Sequence, residues 1–199
     1  AGQWQAHYLM SMPSFSVMGT AIMSLGIRLV QERVQGWSIY MRVTPLPGSV
    51  YFFGKMFVQA IMHLLCIVVI FTAGYLINGV SLSFWQWLFS GLWILIASIP
   101  FLALGTLIGA MRRVDTASGV SNGIYLALAV TGGMWFPIEA MPGFMQAIGK
   151  WMPSYHFGGG AWAITRGEAP GWDHILILTG YLLVFMILST YIRKKQQAV

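Results

Sequence analysis

Five long apolar segments constrain this chain more than any other feature. A helix that crosses a bilayer needs about 20 predominantly apolar residues. Segments of that length lie at about 8–29, 56–77, 87–111, 118–136 and 175–192, and Arg28 is their only charged residue. A strand of an outer-membrane barrel would instead be about 10 residues of strict alternation. We therefore predict an all-α, polytopic helical membrane protein with five spans, forming a single transmembrane domain over residues 1–199.

The composition excludes the main alternatives to a membrane protein. Hydrophobic residues make up 57% of the 199 and charged residues only 8%, whereas soluble domains carry about 25% charged residues. A disordered chain needs low hydrophobicity and high charge, so that class is excluded too. The net charge of +6 comes from small, scattered groups of Lys and Arg, which we interpret as topology signals and not as a nucleic-acid surface. The single cysteine, Cys66, has no partner for an internal disulfide.

The distribution of Lys and Arg predicts the orientation of the spans. Nine of the eleven lie in the 28–55 loop, the 111–117 loop and the C-terminus, and two, Lys150 and Arg166, lie in the 137–173 segment. Because cytoplasmic loops are rich in Lys and Arg, the first group is predicted to be cytoplasmic and 137–173 to be outside. Five spans then leave residues 1–7 outside without a basic leader region. We therefore expect an earlier span to precede this sequence, the alternative being an N-out protein with five spans.

The 28–55 loop has a helical pattern of its own. Residues 31–43 are predicted to form a short helix with an apolar face, which includes Val34, Trp37 and either Tyr40 or Met41. Pro45 and the residues after it would end this helix. The periodicity leaves two interpretations open, since such a helix could lie on the membrane surface or dock on a partner protein.

The 137–173 segment is long for a simple connection. Residues 141–152 carry apolar side chains at helical spacing, and Pro153 is predicted to end that helix. Gly158–Gly160 is interpreted as a flexible break, followed by a second apolar piece at Ala161–Thr165. Two short helices rich in Trp and Met are predicted to dip back into the outer leaflet, where irregular backbone needs burial in protein or a water-lined cavity.

Catalytic motifs are weak in this sequence. A P-loop ends in Gly-Lys-Ser/Thr, but Lys55 is followed by Met and Lys150 by Trp. Ser121 lies in a Gly-x-Ser-x-Gly pattern, yet the pattern opens a membrane helix and not the strand–turn–helix of a hydrolase. We interpret Gly119–Gly123, like the neighbouring Gly105–Gly109, as small-residue faces for close helix packing. An intramembrane hydrolase using Ser121 is the weakest functional alternative.

Metal and ion-coupling sites are equally weak at the level of sequence. The histidines at 7, 63, 156 and 174 are isolated, without metal-ligand spacing, and His63 is interpreted as a neutral, hydrogen-bonded core residue. No Asp or Glu lies inside a predicted span, which counts against an ion-coupled carrier. The absence suits a pathway for large amphiphilic or apolar substrates, and the thirteen Met residues fit either an adaptable surface or ordinary lipid-facing positions.

The order of short motifs resembles one transporter family. Glu32-Arg33-x-x-Gly36 follows the first span, then come Thr44-Pro45-Leu46-Pro47 and Gly54-Lys55. Before the last span come Phe136-Pro137, Met141-Pro142 and Trp151–Tyr155. The chain resembles, over nearly its whole length, the permease subunit of the type-2 ABC exporter family, which includes bacterial multidrug, antibiotic and polysaccharide exporters. Permeases of that family have six spans, so the resemblance also implies that the first is missing here.

The resemblance implies sites and partners. A cytoplasmic coupling helix over about 31–45 would dock on a separate ATP-binding subunit, and a re-entrant outer hairpin over about 137–169 would gate release. The implied coupling residues are Glu32, Arg33, Gly36, Trp37, Tyr40 and Pro45. The implied gate residues are Phe136, Pro137, Met141, Pro142, Trp151 and Pro153.

The implied function is export without catalysis in this chain. The chain would hold no cofactor or metal, since ATP and Mg²⁺ would bind to the partner subunit. A second permease copy or a paralogue would complete a dimer in the bacterial cytoplasmic membrane, with the C-terminus in the cytoplasm. The alternative that the sequence leaves open is a non-transporting membrane interaction, sensor or immunity protein.

Overall fold

The computed structural model describes the backbone of residues 2–197 and the side chains of residues 4–196. Within these residues the fold is all-helical and has no strand, as predicted. The ten α-helices are α1 (Gly2–Gly19), α2 (Leu25–Val34), α3 (Trp37–Arg42), α4 (Gly48–Asn78), α5 (Phe84–Ala97), α6 (Ile99–Ile108), α7 (Val114–Thr131), α8 (Gly143–Gly149), α9 (Pro153–Thr165) and α10 (Trp172–Gln197). A π-helical turn, Thr20–Ser24, joins α1 to α2, and a 3₁₀ turn, Ile138–Ala140, precedes α8.

Four helical stretches in the described part are long and apolar enough to cross a membrane: Trp4–Val34, Gly48–Asn78, Phe84–Ile108 and Trp172–Gln196. They contain the predicted spans 8–29, 56–77 and 175–192 and most of 87–111. The remaining predicted span, 118–136, corresponds to α7, which is helical but is not one of these four. A membrane crossing by α7 therefore stays a prediction.

The helices form a bundle with two distinct ends. Tyr8 at the start of α1 donates to the Trp135 carbonyl after α7, and Gln86 at the start of α5 reaches the carbonyls at the end of α9. At the opposite end, Gln196 of α10 donates to the carbonyl of Ala110. We call the first end the aromatic end, because Trp4, Trp85, Trp135, Trp151 and Trp172 are exposed there. The other is the basic end, with residues 28–55, 109–113 and 193–196.

The first long helix passes very close to α6. A Cβ atom at Gly105 of α6 would lie 2.1 Å from the carbonyl oxygen of Ala21, which belongs to the π-helical turn. At Gly109 a Cβ would lie 2.7 Å from the Leu29 side chain. The prediction that Gly105 and Gly109 permit close helix packing is therefore confirmed. The π-helical turn, which contains one residue more than an α-helical turn, lies at the point of closest approach.

Gly119 and Gly123 behave differently. A Cβ atom at either position would meet no atom of the described residues within 4 Å. The predicted close packing through these two glycines is therefore not made within the described chain. Ser121, between them, is buried, and its hydroxyl donates to the Ser118 carbonyl of its own helix, so the hydrogen bond is structural.

The span predicted at 87–111 is divided into α5 and α6 at Ser98. Pro100, which lacks a backbone N–H, lies in the first turn of α6. The Ser98 hydroxyl donates to the Leu95 carbonyl at 2.6 Å. The division of this span into α5 and α6 thus follows from a proline inside the apolar run.

The predicted flexible break at Gly158–Gly160 is wrong. Helix α9 runs through all three glycines, and they are buried. A Cβ atom at Gly160 would lie 2.0 Å from the Trp93 ring, and the Trp93 indole N–H donates to the Phe157 carbonyl at 2.8 Å. These glycines let α9 pack against α1, α5 and α10, and Pro153 begins this helix.

Lipid is the natural neighbour of the outer helices. The apolar windows of α4 and α10 are only 17% and 11% buried, and large exposed hydrophobic side chains line both helices. Such faces are unsuited to water and suited to hydrocarbon. The helices α1, α6 and α9 supply the buried centre of the bundle.

Candidate functional site

A polar anchor holds the basic end together. Glu32, near the end of α2, accepts hydrogen bonds from the Tyr51 hydroxyl and the Lys55 ammonium of α4. The side chains of Lys55 and Glu32 are 15% and 23% exposed, so the ion pair is partly buried. The Lys55 ammonium also lies 5.1 Å from the centre of the Tyr51 ring. Glu32 therefore ties the two helices that flank α3.

Arg33 makes a second tie, toward α6. One guanidinium nitrogen donates to the Met111 carbonyl at 2.6 Å and the other to the Gly109 carbonyl. These carbonyls lie just beyond the end of α6, where helix carbonyls lack partners and cations are favourable. Two adjacent residues, Glu32 and Arg33, thus connect the start of the 28–55 loop to α4 and to the end of α6.

The predicted single helix over 31–43 is interrupted. Gly36 adopts a positive φ of 86°, which favours glycine, and it separates α2 from the short helix α3. Val34 and Trp37 therefore lie on different helices. A periodicity of three and four residues spans the glycine without revealing the break.

Helix α3 and its flanks present apolar side chains without cover. Trp37, Tyr40 and Val43 are 47%, 60% and 79% exposed, and no residue of α3 is buried. The Trp37 and Tyr40 rings pack edge to face, with centroids 5.7 Å apart. We call Val34, Trp37, Ile39, Tyr40, Val43 and Leu46 the α3 patch, because all six are exposed at the basic end.

The predicted coupling residues thus divide into two groups. Trp37 and Tyr40 belong to the exposed α3 patch, and Pro45 is exposed beside it. Glu32 and Arg33 instead contact α4 and the end of α6. Gly36 lies at the joint between the two groups. The sequence pattern alone does not distinguish the exposed residues of the α3 patch from the two residues that fix α2 to α4 and α6.

The predicted gate residues lie at the aromatic end in two places. Phe136, Pro137 and Met141 flank the 3₁₀ turn, and Pro142 immediately precedes α8. Trp151 is exposed, and its carbonyl accepts from the Tyr181 hydroxyl of α10. Pro153 is the buried first residue of α9.

A polar groove, which the sequence analysis did not identify as a site, runs along the first long helix beside α7. Its volume is about 630 Å³. Ser16, Thr20, Ser24, Arg28 and Gln31 contribute its polar lining. The signal was present as Ser, Thr and Arg at four-residue spacing, which places them on one helix face.

Aromatic and apolar side chains complete the polar groove. Phe15 and Met23 line it from the first long helix, and Tyr125 lines it from α7. The Tyr125 hydroxyl donates to the Phe15 carbonyl at 2.9 Å, and the two rings stack. The groove therefore offers hydroxyl, cationic and aromatic groups on one surface.

Three side chains at the aromatic end could hold a metal ion. His156 of α9 and the pair Asp173 and His174 of α10 place one ligand atom each within 4.8 Å of one another. Burial, the largest influence, lowers the pKa of His156, so its imidazole stays neutral near pH 7. Sequence spacing does not reveal this ligand set, because His156 and His174 are 18 positions apart and lie on different helices.

Comparisons with known proteins identify the family. A family model described as "ABC-2 family transporter protein" matches residues 2–192. Over 196 residues, 98% of its length, the chain is 59% identical to a Bacillus subtilis (strain 168) protein described as "Putative transport permease YvfS", and it covers 80% of that protein. A multi-pass bundle with apolar helices is the architecture that such a permease needs. The chain belongs to the ABC-2 transporter family, as a permease with several apolar membrane helices.

Proposed function

We propose that this permease is the membrane subunit of an ATP-driven exporter in the bacterial cytoplasmic membrane. The basic end would face the cytoplasm, because nine of the eleven Lys and Arg residues belong to segments at that end. The C-terminus would lie on the same side. The exposed Trp residues of the aromatic end would sit at the outer interface, where Trp is enriched.

The α3 patch is the proposed docking surface for a separate ATP-binding subunit, and it is the observation that carries the proposal. Several large apolar side chains are exposed together, with the exposed Arg42 among them in sequence, and such clusters mark interaction sites. The patch lies at the end that the positive-inside rule places in the cytoplasm, where ATP is available. Aromatic side chains such as Trp37 and Tyr40 are typical anchors of protein interfaces.

Glu32 and Arg33 would transmit the motion of the docked subunit. Because Glu32 contacts α4 and Arg33 contacts the end of α6, a displacement of α3 would move three transmembrane segments together. Gly36 would act as the joint between the docked helix and the first long helix. A role in transmission thus fits the two residues better than direct docking does.

The polar groove is the proposed wall of the substrate pathway, facing a second permease copy or a paralogue. Polar side chains at membrane depth normally face protein or a water-filled cavity and not lipid. Gly119 and Gly123 of α7 meet no described atom within 4 Å, so a helix of the second copy could approach α7 closely there. The mixture of Ser, Thr and aromatic side chains suits an amphiphilic or hydrophobic substrate, which the gate at the aromatic end would release outward.

Co-purification with the ATP-binding subunit encoded beside the gene tests the docking surface. We would compare the wild-type protein with the Trp37→Ala/Tyr40→Ala variant. Phe144→Ala is the control, because Phe144 is also a large exposed aromatic residue, at 69% against 47% for Trp37 and 60% for Tyr40, but lies at the aromatic end. The expected result is loss of the ATP-binding subunit with the double variant alone.

ATP hydrolysis in nanodiscs tests transmission separately. Glu32→Gln and Arg33→Gln are expected to retain the ATP-binding subunit while substrate or permease no longer alters its hydrolysis rate. If well-folded wild-type protein retains no ATP-binding subunit, the exporter proposal fails. The alternative, a non-transporting interaction, sensor or immunity protein, would then take its place.

A further inference from the structure

A cluster of nitrogen and oxygen ligands lies at the aromatic end, away from the α3 patch and the polar groove. His156 lies in α9, and Asp173 and His174 lie in the first turn of α10. Their ligand atoms lie within 4.8 Å of one another, with Asp173 exposed and His156 buried. The cluster therefore joins two helices and can be reached from the end of the bundle.

The hydrogen bonds of His156 present a lone pair to the cluster. Its Nε2 lies 2.7 Å from the Lys150 carbonyl oxygen, which can only accept, so Nε2 carries the proton. Nδ1 is therefore unprotonated, and it faces His174 Nδ1 at 2.8 Å. Metal-binding histidines commonly donate their other N–H to a backbone carbonyl in this way.

The second imidazole is held in place by close packing. A Cβ atom at Gly159 would lie 2.7 Å from Cε1 of the His174 ring, so only glycine permits this approach. A cavity of about 450 Å³ adjoins the ring, and polar groups of Glu139, Tyr155 and Arg166 line it. The cavity gives an ion or a water molecule a route to the cluster.

We propose that His156, Asp173 and His174 bind one divalent transition-metal ion, for which Zn²⁺ is the best match. Two imidazole nitrogens and one carboxylate, with a water molecule in the fourth position, form one of the known ligand sets of open zinc sites. Ca²⁺ and Mg²⁺ prefer sets made of oxygen atoms. The assignment differs from the sequence expectation of no metal in this chain.

Binding requires a local rearrangement of all three side chains. Tetrahedral zinc with bonds of about 2.05 Å places each pair of its ligand atoms about 3.3 Å apart. The two Nδ1 atoms, 2.8 Å apart, must therefore separate by about 0.5 Å, and an Asp173 oxygen, now within 4.8 Å of them, must lie about 3.3 Å from both. The proton between the two Nδ1 atoms is displaced by the ion and moves to Nε2 of His174. No other co-reactant is needed.

The bound ion would fasten the segment before the last helix. His156 is tied through Lys150 to the end of α8, and Asp173 and His174 begin α10. One ion would thus link the ends of three helices at the aromatic end. Metal occupancy would stabilise this arrangement against separation of α9 from α10.

Zinc binding to the purified full chain tests the site. The protein would carry an affinity tag without histidines, be stripped with a chelator, and be dialysed against Zn²⁺ in detergent. We expect one Zn²⁺ per chain and a higher Tm with zinc. His156→Gln and His174→Gln should each weaken zinc binding by more than about tenfold, and Asp173→Asn should weaken it less.

Two histidine variants outside the cluster are the controls. His7 lies beside the same cavity and His63 lies in α4. The His7→Gln and His63→Gln variants should therefore bind zinc like the wild-type protein. X-ray absorption spectroscopy at the zinc edge should detect two imidazole ligands in the wild-type site. The proposal is overturned if the wild-type protein binds no zinc, or if the His156→Gln/His174→Gln double variant, eluting as a single folded species, binds as much as the wild type.

Discussion

Replacement of Gly105 by Ala should separate two helices that are in backbone contact. The added Cβ would lie 2.1 Å from the Ala21 carbonyl oxygen. Because real Cβ atoms essentially never approach within 3.0 Å, α6 and the π-helical turn must move apart by about 0.9 Å. The clash is with backbone, so no side-chain rotation relieves it.

The expected cost follows from overpacking of a close interface. Insertion of a methyl group into a well-packed site costs about 1–3 kcal/mol. Ala at a helix interior regains about 0.5–1 kcal/mol relative to Gly, which offsets part of that cost. The net expectation for Gly105→Ala is a destabilisation of about 1 kcal/mol, within a range of about 0–2.5 kcal/mol.

Gly180→Ala in α10 is the matched control. A Cβ at Gly180 would meet nothing within 4 Å, so this variant should be as stable as the wild type or more stable. Thermal unfolding of both variants in the same detergent provides the comparison. Equal Tm values for Gly105→Ala and Gly180→Ala would refute the close approach of α6 to the π turn.

Three further changes probe the anchor and the packing of α9. Glu32→Gln leaves the largely buried Lys55 ammonium without its carboxylate and should lower the free energy of unfolding by about 1–3 kcal/mol. Adding Lys55→Met should restore part of this loss. Strictly additive effects of the two changes in thermal unfolding would show that the two residues are not coupled. Trp93→Phe removes the donor to the Phe157 carbonyl and should cost about 1 kcal/mol, whereas an unchanged Tm would argue against that bond. Gly160→Ala should destabilise the protein more than Trp93→Phe does, because its Cβ would lie 2.0 Å from the Trp93 ring. A higher Tm for Gly160→Ala than for Trp93→Phe would contradict this prediction.

The apolar runs predicted most of the fold because bilayer thickness constrains them directly. The segments 56–77 and 175–192 appear inside longer helices, since amphipathic residues at both ends extend a helix beyond its apolar centre. The apolar run 87–111 concealed the division at Ser98, although Pro100 was visible as a signal. Hydropathy measures length and polarity and does not report such local breaks.

The glycines show where sequence reasoning could not succeed. Gly105 and Gly160 both lie in helices against a neighbouring element, whereas Gly119 is open. A glycine in sequence can mean a break, a contact or an unpartnered face, and only the neighbouring helix decides between them. The prediction of a flexible break at Gly158–Gly160 is wrong for this reason.

The candidate sites depend on contacts across the chain. A motif identifies Glu32 and Arg33, but their partners Lys55 and Met111 lie 23 and 78 residues away. His156 and His174 are isolated in sequence, and only the packing of α9 against α10 brings them together. Sequence spacing finds sites within one helix and misses sites formed between helices.

Site-directed crosslinking from the α3 patch tests the central claim most directly. Cys66 is the single cysteine of the chain, so a Cys66→Ala background allows one photoreactive label at Val43→Cys and, as a control, at Phe144→Cys. The account predicts that the Val43 label captures the ATP-binding subunit in the co-expressed complex and that the Phe144 label does not. Capture from Phe144 alone, or from neither position in an intact complex, would contradict docking on the α3 patch.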